Sequence, residues 1–143
     1  MYKQQYTLTI VFSEDKTRVL MLMHNKQQML NFIGGKVEPN ESQTEASYRE
    51  LFEETGISED DIRLHYVQTA IEEFADGDSW HLYITTGILE HDIELVPEKN
   101  KLEWVPIHNT GKLLSQTFGD GNCYVFMIRA IYTLIRHGII IGA

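Results

Sequence analysis

The sequence predicts an α+β domain built on a mixed β-sheet with two principal helices, and three observations carry that expectation. Runs rich in β-branched and aromatic residues recur at 6–12, 18–23, 63–71, 80–89 and 102–106 and read as strands. Residues 44–55 lack Gly and Pro and are rich in Glu, with Ala, Arg and Leu among them, all of which favour the helical state. From Asn122 onward, Tyr124, Met127, Ile128, Ile131, Leu134 and Ile135 follow helical spacing until Gly138 marks a stop. At 143 residues, 43% hydrophobic and 23% charged, the chain suits one compact domain over 1–143 with a sizeable core.

Taken in order, 6–12 and 18–23 form a hairpin around the polar turn at 13–16, and 25–31 reads as a loop. Gly34-Gly35 reads as a turn that lets backbone approach a ligand closely, and Pro39-Asn40 as a further loop. The helix at 44–55 has a mostly apolar, core-facing side in Tyr48, Leu51, Phe52 and Thr55. Gly56 fits a left-handed helix end, and 58–61 and 74–78 are turns. Residues 90–100, with Pro97, read as a loop, and the last helix as a packing element laid against the sheet.

Composition removes several function classes. The net charge of −9 and the lack of any Lys/Arg cluster argue against a nucleic-acid polymer as partner. A small anionic substrate is compatible with that charge if a metal reverses the local field. No apolar stretch reaches the length of a membrane span, and the amino terminus lacks the apolar core of a signal peptide. The single cysteine, Cys123, rules out an intrachain disulfide and points to a reducing cytoplasm; it reads as core. The six histidines show no zinc-site spacing, and neither a G-x-S-x-G elbow nor a Walker P-loop is present.

The informative stretch is 34–57. Glu50, Glu53 and Glu54 stand at i, i+3 and i+4, neighbours on one face of a helix. Three carboxylates so placed repel one another, and a hard divalent cation with its preference for oxygen ligands converts that repulsion into attraction. The segment resembles the Nudix box, G-x5-E-x7-R-E-U-x-E-E-x-G-U, with U a bulky aliphatic residue. Gly35, Glu41, Arg49, Glu50, Leu51, Glu53, Glu54, Gly56 and Ile57 fill every defined position. At average residue usage, a chance match at a given start is on the order of one in a billion.

The resemblance implies an α/β/α sandwich with a central mixed β-sheet, and metal-assisted hydrolysis of a nucleoside diphosphate linked to a further group. It implies Mg²⁺, or Mn²⁺ in its place, held by Glu53 and Glu54. Glu50 would be a further ligand or act on the attacking water, and the carbonyl of Gly34 an additional ligand. Arg49 would orient the carboxylates with its planar fork, and Glu41 would brace the loop against the helix. MutT-like members carry a further acid just before a late tryptophan, which Glu103-Trp104 fits. Glu103 is thus a metal ligand or general base, or else an exposed edge-strand residue, with Glu98 its competitor. Asn31, in the stretch N-x-x-G-G-K-V-E, and Asn122, at the start of the last helix, resemble substrate-binding positions of 8-oxo-dGTP diphosphatases. Asn122 reads equally well as a helix N-cap. Phe32, Phe74, Trp80 and Phe118 offer either a stacking wall or core. ADP-ribose, a nucleotide sugar or a dinucleoside polyphosphate are alternative substrates, and a non-catalytic nucleotide-binding module is an alternative role. Many relatives pair, so a homodimer is an assembly the resemblance allows.

Overall fold

The computed structural model describes residues 3–24, 29–96, 101–107 and 122–138. In chain order the elements are β1 (Lys3–Phe12), β2 (Arg18–His24), β3 (Met29–Asn31), β4 (Ile33–Lys36), α1 (Gln43–Thr55), β5 (His65–Glu73), β6 (Ser79–Ile88), β7 (Lys101–Pro106) and α2 (Asn122–Arg136). All seven strands join one sheet. β1 is its hub. One edge pairs in parallel with β6 along the whole strand, from Lys3↔Ser79 to Phe12↔Ile88. The other edge takes β4 antiparallel over Tyr6↔Lys36 to Thr9↔Ile33, and then β2 at Phe12↔Val19. β5 closes one side against β6, while β7 and β3 pair antiparallel with β2. The sheet is therefore mixed.

Alternation along the strands sorts the core into two layers. Leu8, Ile10 and Phe12 of β1, Val19 and Met21 of β2, Ile84 of β6 and Val105 of β7 pack with Met127, Ala130 and Leu134 of α2. Val11, Leu20, Leu22 and Ile33 face the other way and pack with Leu51 of α1, Ile57 and Ile62. A strand buried on both faces loses the apolar/polar alternation of a surface strand, hence the apolar run of β2 and the Ile10-Val11-Phe12 end of β1. With α1 on one face and α2 on the other, the structure is the expected α/β/α sandwich.

Three local expectations are corrected. Residues 29–31, read as loop, form β3 against Leu22 to His24. Gly34 and Gly35, read as a turn, lie inside β4 without positive φ. Their lack of a side chain serves packing instead: a Cβ on Gly34 would collide with the backbone carbonyl oxygen of Thr7, and one on Gly35 with the carboxylate of Glu50. Phe52 is 58% exposed. The buried stripe of α1 runs through Ala46, Ser47, Leu51 and Thr55. At about 100° per residue, Phe52 is rotated off its centre.

Candidate active site

α1 is held at both ends by its own sequence. Ser42 is the N-cap: its hydroxyl accepts from the Glu45 N–H at 3.0 Å, and the Glu45 carboxylate accepts from the Ser42 N–H at 3.1 Å. This reciprocal pair satisfies two of the donors a helix start leaves open. The sequence carries this signal as S-x-x-E at 42–45, two residues ahead of the helix start expected at 44. At the other end Gly56 takes φ 82°, the left-handed conformation anticipated for it, and donates to the Phe52 carbonyl at 2.9 Å. Fixed ends and the 3.6-residue period set Glu50, Glu53 and Glu54 on one side of the helix, with the Glu50 carboxylate over Gly35 of β4.

Arg49 ties that side to the loop before the helix. Its Nε donates to Glu41 Oε2 at 2.7 Å and its Nη2 to Glu41 Oε1 at 3.0 Å, a two-pronged pair. Nη2 also donates to the Lys36 carbonyl at 3.0 Å. Nη1 donates to Glu50 Oε1 at 3.0 Å and Glu53 Oε2 at 3.2 Å, with Glu38 3.7 Å away. One guanidinium thus spans β4, the loop and two of the three helix acids. Only a planar fork of five donors can do this. Glu41 further accepts from the Glu38 N–H at 2.9 Å, so it braces the loop against the helix. Lys36 and Glu38 were not anticipated, because a backbone carbonyl and a loop acid leave no sequence mark of such a contact.

Charge and burial pull these groups apart. The Arg49 guanidinium holds the Glu41 carboxyl below the usual range, and Glu41 in turn pushes the Arg49 pKa up. Burial pushes the Glu50 carboxyl up, with Arg49 opposing. Its side chain is 14% exposed, laid over the bare backbone of Gly35. Glu53 is half-exposed and Glu54 partly buried.

These positions coincide with a known family. A model of the NUDIX domain matches residues 3–124. The chain belongs to the Nudix family. Among curated proteins, an RNA pyrophosphohydrolase of Pasteurella multocida is 40% identical over 58 residues, covering 41% of this chain. That stretch spans 29% of the relative's length. Among solved structures, the MutT protein of Bacillus halodurans is similar with a TM-score of 0.68 and 28% identity, over 87% of this chain and 80% of that one. The E. coli dihydroneopterin triphosphate pyrophosphohydrolase has the same fold, with a TM-score of 0.73 and 20% identity over 92% and 99% of the two chains.

The Nudix box supplies every member of the Arg49 network except Lys36 and Glu38. Other anticipated residues fall elsewhere. Glu103 is exposed on β7, opposite Met21 of β2. It shares strand parity with Val105, which packs on the α2 side, whereas Leu102 and Trp104 pack on the α1 side. Glu103 therefore shares the face of β7 that carries Val105. Glu98 and Phe118 lie outside the described residues, as do the side chains of Asn31 and Asn122. The backbone of Asn31 pairs with Leu22, and Asn122 begins α2. Phe32 is core, whereas Phe74 and Trp80 are exposed.

A groove of about 680 Å³, lined by Lys16, Arg63, His65, Glu90 and His137 among others, opens at the far end of β1. It contains none of the Nudix-box acids. Among the described residues, no helix is long and apolar enough to cross a membrane.

Proposed function

We propose that this Nudix domain hydrolyses a phosphoric anhydride of a nucleoside triphosphate to nucleoside monophosphate and pyrophosphate, with oxidised purines such as 8-oxo-dGTP the favoured class. The observation that carries the proposal is the Arg49 network, which fixes Glu50 and Glu53 on one turn-pair of α1 against β4. Glu53 and Glu54, with the carbonyl of Gly34, would hold Mg²⁺, or Mn²⁺ in its place, and Glu50 would be a further ligand or act on the attacking water. The donor set fits: all of it is oxygen, the chemistry hard divalent ions require. Among the described residues no three acids form a ready-made cage. Waters and substrate phosphate oxygens would therefore have to complete the coordination, as they ordinarily do for Mg²⁺. A bound Mg²⁺ would neutralise phosphate charge and lower the pKa of a bound water.

The chain's own residues do the rest. Arg49 keeps the acids in register, and Glu41 keeps Arg49 in place. In the second of its two roles Glu50 would accept the proton of the attacking water. Glu103, from outside the box, is assigned as a further metal ligand or general base on the family resemblance alone. Asn31 and Asn122 are assigned to the purine on the family resemblance alone.

Product analysis with 8-oxo-dGTP, dGTP, other nucleoside triphosphates, ADP-ribose and diadenosine polyphosphates, with Mg²⁺ and with chelator, tests the reading. Chelator-sensitive release of pyrophosphate from triphosphates is the expected outcome. Cleavage of ADP-ribose or dinucleotides without triphosphate turnover would overturn the substrate assignment and keep the site. Undiminished turnover in Glu54→Gln would trace the activity to a contaminant and leave a nucleotide-binding module. The identity to an RNA pyrophosphohydrolase favours a second reading, a triphosphate at an RNA 5′ end, and a 5′-triphosphorylated oligonucleotide in the panel decides it.

A further inference from the structure

The groove at the far end of β1 gathers charged groups that the Nudix box does not use. Its walls come from four places in the chain: Glu14 and Lys16 after β1, Arg63 and His65 at the entry to β5, Ile88 to Glu90 at the end of β6, and His137 after α2. Its volume of about 680 Å³ falls within the range of roughly 300–1,000 Å³ usual for small-molecule sites. The Glu50 carboxylate lies over Gly35, whose partner in β1 is Thr7. From Thr7, β1 runs on to Phe12, roughly 17 Å of strand, before the turn that lines the groove.

Specific features of the chain bring the basic groups there. Lys16 has φ 65°, a left-handed conformation rare for a lysine. Its N–H donates to the Ser13 carbonyl at 2.8 Å, and the Asp15 carboxylate accepts from the Ser13 and Thr17 hydroxyls, both at 2.7 Å. Gly87 lets the chain ahead of β5 lie directly on β6: a Cβ there would stand 2.5 Å from the Arg63 carbonyl oxygen. The rings of His65 and His137 meet with centroids 5.0 Å apart at 32°. Burial first, and then His137 and Arg63, hold the His65 imidazole below its ordinary range.

The groove thus presents two cations, two imidazoles and two carboxylates. Among the described residues, neither Lys16 nor Arg63 forms a salt bridge, so the carboxylates do not neutralise them. The acids and imidazoles do not make a cation site either: among the described residues no group of three or more His, Cys, Asp and Glu is placed to hold a metal. Unpaired cations beside imidazole N–H donors suit an anion, and free carboxylates suit hydroxyl donors. A phosphate is favoured over a carboxylate. Its three spread oxygens can meet donors arriving from separate elements, whereas the two coplanar oxygens of a carboxylate match a single fork. A bare phosphate ion would leave Glu14, Glu90 and the apolar Ile88-Leu89 wall uncovered.

We propose that this groove is a second ligand site, apart from the Nudix box, for the phosphate monoester of a sugar or other polyol. Lys16, Arg63, His65 and His137 take the phosphate, and Glu14 and Glu90 accept from the hydroxyls. The inference is independent of the reaction proposed above.

The test titrates the full chain with ribose 5-phosphate, inorganic phosphate and ribose, followed by the imidazole C–H signals in NMR spectra. Chelator is present and divalent metal absent, so hydrolysis has no part in the readout. His65→Gln and His137→Gln assign the two signals. Ribose 5-phosphate should shift both saturably, inorganic phosphate should bind more weakly, and ribose should not bind. Arg63→Gln, at an exposed position, should weaken ribose 5-phosphate roughly tenfold or more. Glu90→Gln should weaken ribose 5-phosphate without weakening inorganic phosphate, and Glu53→Gln should change neither. No saturable shift, or wild-type affinity in Arg63→Gln, overturns the proposal. Shifts lost in Glu53→Gln would move the ligand to the Nudix box and overturn it too. Inorganic phosphate binding as tightly as ribose 5-phosphate would refute the polyol and the role given to the carboxylates.

Discussion

Replacing each of the two adjacent glycines of β4 with alanine separates architecture from catalysis. On Gly35 the new methyl would stand 2.6 Å from Glu50 Oε2 and closer still to Cδ and Oε1. Ordinary contact begins at roughly 3.5 Å, so the carboxylate must retreat by about 1 Å. The end of a glutamate can do so without moving backbone, but the retreat breaks its 3.0 Å bond to Arg49. A charge-assisted hydrogen bond contributes about 1.5–3 kcal/mol, and the alanine recovers about 0.5–1 kcal/mol of chain entropy. Gly35→Ala should therefore lose about 1–2 kcal/mol and remain folded. Its kcat for triphosphate hydrolysis should fall on the order of a hundredfold, as an ångström's misplacement of a reacting group does. On Gly34 the obstacle is the Thr7 backbone, its carbonyl carbon 3.1 Å away and its oxygen nearer. Backbone cannot swing aside, so the β1–β4 ladder must open, at the upper end of the usual overpacking cost of about 1–3 kcal/mol. Urea unfolding and steady-state kinetics on the same preparations give both numbers. A Gly35→Ala protein with wild-type kcat would refute the placement of Glu50. A Gly34→Ala protein more stable than Gly35→Ala would refute the packing account of the pair.

Other expectations follow from the same contacts. Arg49→Lys keeps the charge but cannot reach Glu41, Glu50, Glu53 and Lys36 together; urea unfolding should show a loss of about 1–3 kcal/mol. Burial, together with His137 and Arg63, holds the His65 imidazole below its ordinary range. The unfolded chain therefore takes up a proton near pH 6.5 while the fold resists it. Stability should fall as pH drops through about 6.5 and level off below the folded pKa, and His65→Gln should flatten that slope in thermal melts. Gly56→Ala at φ 82° forces a left-handed alanine and should cost about 1–2 kcal/mol. In metal-dependent assays Glu53→Gln and Glu103→Gln should each remove most turnover; undiminished turnover in Glu103→Gln would take Glu103 out of the site.

What the sequence discloses follows the range of the forces involved. The acidic side of α1 and its end at Gly56 are local matters of spacing and backbone preference, and both were visible; its start, set by the Ser42–Glu45 pair, came one residue before the one expected. β3 and β4 were not, because strands of three and four residues have too little pattern of their own and exist only through pairing with β2 and β1. The glycines of β4 were noticed but misattributed: their cause is Thr7 and Glu50, distant in sequence. Phe52 misled because an apolar residue one position from the buried stripe looks like part of it. For Glu103, the Glu-Trp pair identified the segment, while which face the glutamate takes depends on the register of β7 on β2. Phe74 and Trp80 could be wall or core in the sequence, and burial on the three-dimensional sheet separates them from Phe32.

The parallel pairing of β1 with β6 also governs how the protein comes into being. Thr86 donates to the carbonyl of Ile10 across 76 positions of sequence. On a ribosome adding about 5–20 residues per second, the first strand emerges seconds before the strand that completes it. During that interval α1, capped by its own neighbours, can form, but the sheet on which it rests remains half built. The long loop to be closed predicts slow folding, and the apolar run of β1 is meanwhile open to association with other nascent chains. Chaperone demand in the cell should then track the arrival of residues 79–88 rather than of the Nudix box, and ribosome-stalled chains ending before residue 79 should be protease-sensitive although every acid of the box has already been made.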